Sequence, residues 1–199
     1  MFGVSRAAIR SRVETGSWLV LFPGVFAIAG SPPSTERALL AACLLGGEGT
    51  MVTRRAAAWL WDLPGSRGPS VEVLSPRWQR VQAHGMRAHE SKKIDEPDCS
   101  VRSGIPVTSA CRTIIDCCAV VHPHRAGEML DDARRRGLLT LGAFARRVDD
   151  LAASGRNGIR VARGLVTDRG APPASVFETR LARVLRDAGL PEPVCEHTN

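Results

Sequence analysis

The first thirty residues constrain this chain most, because a basic helix there runs directly into two short apolar β runs. Ser5 is placed to cap a helix over residues 6–14 (Arg6 to Glu14), and Gly16 ends it. Ile9 and Val13, one turn apart, mark its inward stripe, while Ala7, Arg10 and Ser11 point elsewhere. Behind it, Trp18-Leu19-Val20-Leu21-Phe22 and Val25-Phe26-Ala27-Ile28 flank a Pro23-Gly24 turn. Two apolar β runs about a turn, directly behind a basic helix, make a wing.

A helix followed by a wing is the layout of the reading half of a winged helix-turn-helix, so Ser5, Arg6, Arg10, Ser11 and Arg12 are the candidate DNA-binding residues. Such a motif needs an earlier helix to brace the reading one across the DNA backbone. Met1-Phe2-Gly3-Val4 leaves no room for it, so the expectation over residues 1–30 is a partial winged helix-turn-helix. Trp18, Leu19, Leu21 and Phe22 also occupy places where a DNA-contacting wing usually carries Arg or Lys. That keeps open a protein-interaction module without DNA binding.

The same stretch has the outline of a secretory leader, with Arg6, Arg10 and Arg12 as its basic region and residues 18–30 as its apolar core. Glu14 among the basic residues, Pro23-Gly24 inside the apolar run, and the helical spacing of the arginines argue against it. No other segment approaches the ~18 uninterrupted apolar residues of a membrane helix. The expectation is a soluble, cytoplasmic protein with no membrane partner.

At 199 residues the chain can hold one generous domain or two small ones. Its formal charge of +7 is carried almost wholly by arginine, since lysine occurs only at Lys92 and Lys93. Guanidinium forks suit phosphates and guanine edges, which favours a nucleic-acid or acidic-protein partner. An Arg- and Ala-rich, Lys-poor composition is also what a high-GC genome produces, so charge alone says little.

Cysteines 43, 99, 111, 117, 118 and 195 form no Cys-x-x-Cys pair and read as reduced, buried small hydrophobes. Cys117, Cys118, His122 and His124 are close in sequence, but neighbouring cysteines on a helix diverge by about 100° and do not converge on one ion. No metal site is expected.

Capping residues and Gly/Pro punctuation divide the remainder. Thr35 or Ser34 caps a helix from Glu36 to Leu45, and Thr53 caps another from Arg54 to Leu60. Pro64 to Pro69 is a loop; Val71 to Leu74 alternates as a strand, and residues 86–89 can pair with it across the basic loop 77–80. Ile105-Pro106-Val107 leads to Thr108, the expected N-cap of a helix from Ala110 to Val121. Pro123 starts a helix through Arg136, Thr140 caps Leu141 to Ala153, and Asn157 begins a basic helix with Arg160 and Arg163. After a linker at 171–174, Ser175 caps a last helix from Val176 to Ala188. The expected class is α+β: a partial winged helix, a small α/β middle region and a helical C-terminal part.

The run from Gly104 to Asp116 (Gly-Ile-Pro-Val-Thr-Ser-Ala-Cys-Arg-Thr-Ile-Ile-Asp) is the most specific stretch. With residues 53–61 (Thr-Arg-Arg-Ala-Ala-Ala-Trp-Leu-Trp) and Val71-Glu72-Val73, it resembles the AbiEi-like antitoxin family of bacterial type IV toxin–antitoxin systems. The resemblance spans roughly residues 1–140. It implies an N-terminal winged helix before an α/β region at 35–140, DNA-binding autorepression, and antitoxicity against a partner nucleotidyltransferase toxin. In physical terms, Thr108 serves free backbone donors at a helix start, and Arg112 with Asp116 is an i,i+4 pair that stitches the helix to the domain surface. Such a pair contributes only tenths of a kcal/mol.

A helical segment at 141–170 follows, and residues 174–199 resemble the opening of a very-short-patch-repair-like endonuclease domain of the restriction-endonuclease fold. The likeness lies in residues 175–185, from Ser175 to Leu185, and in Gly189-Leu190-Pro191. In that family the first-helix Glu, here Glu178, joins a metal-binding acidic cluster. Ser175-x-x-Glu178 is equally a capping box. Phosphodiester hydrolysis needs further carboxylates to hold Mg²⁺, expected in strands beyond Asn199, so a truncated endonuclease is the alternative and no catalytic residue or cofactor is assigned. The five histidines form no triad with any Ser and Asp, and Gly46-Gly47-Glu48-Gly49 lacks the lysine of a phosphate loop.

Overall fold

Short polar side chains set the cadence of the chain by satisfying the free N–H groups at helix starts. Ser5 accepts from the Ala8 amide at 3.2 Å to open α1 (Arg6–Glu14), and Ser34 accepts from Arg37 at 3.1 Å to open α2 (Thr35–Gly46). Ser109 accepts from Arg112 at 3.4 Å for α4 (Ala110–Cys117), and Thr140 from Ala143 at 3.1 Å for α6 (Leu141–Leu151). Between and after these lie α3 (Arg54–Leu60), α5 (Pro123–Arg135) and α7 (Ile159–Asp168). The structure, a computed structural model, describes residues 4–66, 70–77, 79, 81–152 and 156–170. The expected helix from Val176 to Ala188, with Glu178 and the endonuclease-like opening, lies outside the described residues.

The fold is α+β, with two sheets among the described residues. Strands β1 (Trp18–Phe22) and β2 (Val25–Ile28) form an antiparallel ribbon in which Trp18 faces Ile28. The larger sheet contains β3 (Met51–Val52), β4 (Val71–Pro76), β5 (Met86–Ser91), β6 (Cys99–Arg102) and β7 (Ile105–Thr108), in the order β5-β4-β3-β7-β6. The expected pairing of residues 71–74 with 86–89 is present, and the two strands run parallel from Val71 opposite Met86 to Pro76 opposite Ser91. The antiparallel hairpin β6–β7 was not anticipated. It turns at Ser103 and Gly104, with φ of 49° and 75°, the positive pair that matches the twist of a two-residue hairpin.

Beyond shifts of one or two residues at element ends, three expected features differ. Thr108 is not the cap of α4: it is the last residue of β7, paired with Cys99, and its hydroxyl turns inward to Thr113 at 2.7 Å. The cap falls to Ser109. Helix α4 stops at Cys117 rather than Val121, because Pro123 disfavours helical backbone just before it and starts α5 afresh. Thr53 stands at the N-cap position of α3 without making the cap bond; its hydroxyl donates instead to Asp116 Oδ2 at 3.2 Å.

Among the described residues one core joins the sheet to the helices around it. Leu39 of α2, Val52, Val73 and Val107 of the sheet, Ile114 of α4, Leu130 of α5 and Phe144 and Val148 of α6 are all buried in it. The helical segment after residue 140 therefore shares the core of the α/β region. Helix α1 buries no residue and packs on β1, and the ribbon reaches the rest of the molecule through α2. Among the described residues no helix is long and apolar enough to cross a membrane.

Gly158 caps α7 with φ +84°, and a Cβ there would stand 2.6 Å from the Ala119 nitrogen and 2.9 Å from the Cys118 carbonyl carbon. Gly158→Ala must therefore push α7 off the end of α4 as well as strain the backbone. A loss of about 2–4 kcal/mol in urea unfolding is expected, against about 1–2 kcal/mol for Gly104→Ala, whose φ is also positive but whose surroundings are open. Equal losses would contradict the close approach.

Candidate functional site

Helix α1 presents all five of its predicted residues to solvent: Ser5, Arg6, Arg10, Ser11 and Arg12 are exposed. They are not brought to one face. Arg6 and Arg10 lie one turn apart on one side, whereas Arg12 lies on another, its guanidinium 4.6 Å over the Trp18 ring. Trp18 in turn sits 5.5 Å from Phe26 across the ribbon. Arg12 thus fastens helix to ribbon, and Arg6 and Arg10 remain as the outward cationic pair. The ribbon is apolar: Val20 is 57% and Ile28 72% exposed, and Leu44 of α2, 62% exposed, lines one hollow with Ile28.

The pair Arg112–Asp116 has a different character from the surface stitch its spacing suggests. Arg112 is 1% exposed. Its Nε donates to Asp116 Oδ2 at 2.9 Å, and its terminal nitrogens donate to Asp98 Oδ2 at 2.6 Å, the Lys93 carbonyl at 3.1 Å and Ser91 Oγ at 3.4 Å. Asp98, fully buried, is shared with Arg147 of α6, which donates to Oδ1 at 2.9 Å and Oδ2 at 2.6 Å and reaches Asp95 at 2.9 Å. On the other side Arg156 donates to Asp116 Oδ1 at 3.1 Å. Burial works against the Arg147 charge, but Asp98 and Asp95 outweigh it and hold the guanidinium firmly protonated. Arg156 is pushed the other way, first by burial and then by the neighbouring Arg112 charge.

Arg112, Asp116 and Arg156 line a cleft of about 190 Å³ together with Thr53, Arg54 and His89. Beneath it Glu72 of β4 is 3% exposed, with Oε2 3.6 Å from His89 Nε2. That separation is too long for a hydrogen bond, and neither atom has another partner among the described residues. Burial pushes the Glu72 carboxyl up, yet His89, Ser70 and Arg54 together hold it below the usual carboxylate range.

Sequence reasoning missed Asp98, Arg147, Arg156, Glu72 and His89. Arg147 was open to discovery, since it shares the helical stripe of Phe144, Val148 and Leu151, all buried. Glu72 was not, because β4 is buried on both faces and alternation misplaces its side chain.

Cys43, Cys117 and Cys118 are buried as expected, while Cys111 is half-buried and Cys99 exposed; Cys195 lies outside the described residues. Burial pushes the Cys43, Cys111 and Cys118 thiols up to about 12, which keeps them unreactive. Among the described residues no group of three His, Cys, Asp or Glu side chains is arranged to hold a metal ion.

No protein-family model matches the chain, and no curated protein sequence matches it. Among solved structures it is similar to the crystal structure of the RV2827C protein from Mycobacterium tuberculosis. The identity is 16% and the TM-score 0.49, over 89% of this chain and 69% of that one. A likeness that distant carries no functional meaning.

The shared carboxylate can be tested by its stability. Asp98→Asn leaves two buried guanidiniums short of their anion, so a loss of about 3–5 kcal/mol in urea unfolding is expected. Asp95→Asn, at a side chain 44% exposed, should cost less than about 1 kcal/mol. Comparable losses at the two positions would show that Asp98 is not the hub.

Proposed function

We propose that this protein is a DNA-binding, antitoxin-like transcriptional regulator of the cytoplasm, in which α1 and its ribbon engage duplex DNA and the body offers a surface to a cognate toxin protein. The observation that carries the reading is that α1 buries nothing and holds Arg6 and Arg10 outward on one face. A helix kept wholly at the surface beside a two-stranded ribbon, with exposed guanidiniums, suits contact with phosphates. Two or three such contacts support weak, salt-sensitive and largely non-specific binding, since base readout needs a firmly braced helix. The reading requires no cofactor.

A second reading has its own observation. The apolar exposure of Val20, Ile28 and Leu44 suits a protein partner better than a phosphate backbone, which favours an interaction module without DNA binding. The endonuclease alternative rests on Glu178 and on residues outside the described ones, and no described group supports it.

Affinity for a short duplex, measured by fluorescence anisotropy over a range of salt concentrations, separates the two. DNA binding through α1 predicts a log–log salt slope of about −2 to −3, reduced by about 2 in Arg6→Ala/Arg10→Ala. A slope unchanged in the double variant would refute contact through α1. No binding at any salt would leave the interaction module as the reading.

A further inference from the structure

The cleft beside α4 holds cationic groups that DNA contact at α1 does not use. It lies where the ends of β3 and β5, the start of α3, α4 and the segment leading into α7 meet. Three guanidiniums line it: Arg54, Arg112 and Arg156. The lining carboxylate Asp116 is already engaged, by Arg112 and Thr53 at Oδ2 and by Arg156 at Oδ1. Glu90, the other lining carboxylate, is exposed at the rim. Arg112, Arg147 and Arg156 therefore converge on two buried or nearly buried carboxylates, Asp98 and Asp116. Arg156 gives one terminal nitrogen to Asp116, and its charge is disfavoured by its burial and by the Arg112 charge.

Arg54 adds a second guanidinium, whose charge acts on the buried Glu72 carboxylate. Arg54 is half-buried and has no ion-pair partner among the described residues. Its backbone is left-handed, with φ 52°, a conformation that is costly for a residue with a Cβ. Such outliers persist where the surrounding structure over-determines them, often at ligand sites.

We propose that this cleft binds a small phosphate-bearing anion, with Arg54 and Arg156 as its direct partners and Arg112 as fixed positive backing. A tetrahedral oxyanion answers two guanidinium forks approaching from different elements. A carboxylate answers one fork and leaves the donors of the other unused. At about 190 Å³ the cleft is far larger than a single water needs, and suits a phosphate group with a small remainder.

Isothermal titration of the full chain with inorganic phosphate, pyrophosphate and 5′-AMP, in chloride buffer at fixed ionic strength, tests this. Saturable binding of at least one probe is expected, weakened roughly tenfold or more in Arg54→Gln and in Arg156→Gln. The exposed α7 variant Arg160→Gln should bind as the wild type does. Tightest binding of inorganic phosphate identifies a free anion; tightest binding of 5′-AMP identifies an ester. No saturable binding, or equal affinity in all four proteins, overturns the proposal. Arg54→Gln leaves the Asp98 network untouched, so its result stands even if Arg156→Gln perturbs the fold. Arg6→Ala/Arg10→Ala should bind phosphate normally, so this proposal and the reading of α1 can fail separately.

Discussion

One fully buried carboxylate, Asp98, holds the architecture of the body in place. It sits at the end of the short 3-10 turn before β6, and two guanidiniums from α4 and α6 converge on it. Burying three charges costs several kcal/mol of lost hydration per ion, which only dense hydrogen bonding offsets. The network supplies it: Arg112 reaches Asp98, Asp116, Ser91 and the Lys93 carbonyl, and Arg147 uses all three of its nitrogens. Because any single lost partner leaves a buried charge exposed to that cost, the angles between the sheet edge, α4 and α6 are closely specified. Helix α7 packs on α6, and Gly158 lets its start lie against the backbone at Cys118 and Ala119. Arg156 is thereby delivered to Asp116, and the cleft follows from that chain of contacts.

The N-terminal unit is built on the opposite principle. Helix α1 has no buried side chain, and a cation–π contact from Arg12 to Trp18 joins it to the ribbon. Contacts of that kind at exposed sites are worth about 0.5–1 kcal/mol. The body thus buries an ion network, whereas α1 holds its charged side chains at the surface and the ribbon exposes apolar ones. This division suits a protein whose body is a scaffold and whose recognition surface lies on a lightly attached element.

Much of this organisation was readable from residue order. Ser5, Ser34 and Thr140 mark helix starts because a short side-chain oxygen before an amphipathic run has few other uses. Trp18 to Ile28 reads as a ribbon because Pro23-Gly24 interrupts two β runs. What escaped was decided by tertiary contact. Thr53 and Thr108 look like caps, but both hydroxyls are claimed by side chains distant in sequence or inside the core. Arg112–Asp116 looks like a surface pair, because local spacing cannot reveal that Asp98 and Arg147 close over it. Glu72 is hidden for a similar reason: alternation assumes one solvated face, and β4 has none.

On the proposed function, duplex DNA should be met by the N-terminal unit and not by the body. NMR titration of labelled protein with a short duplex, in phosphate-free buffer, tests it residue by residue. Amide shift changes confined to α1 and the ribbon are expected, largest around Arg6 and Arg10, with the amides of α4, α6 and the cleft unmoved. Shift changes centred on Arg54, Arg156 and the ends of β3 and β5, with α1 silent, would contradict it.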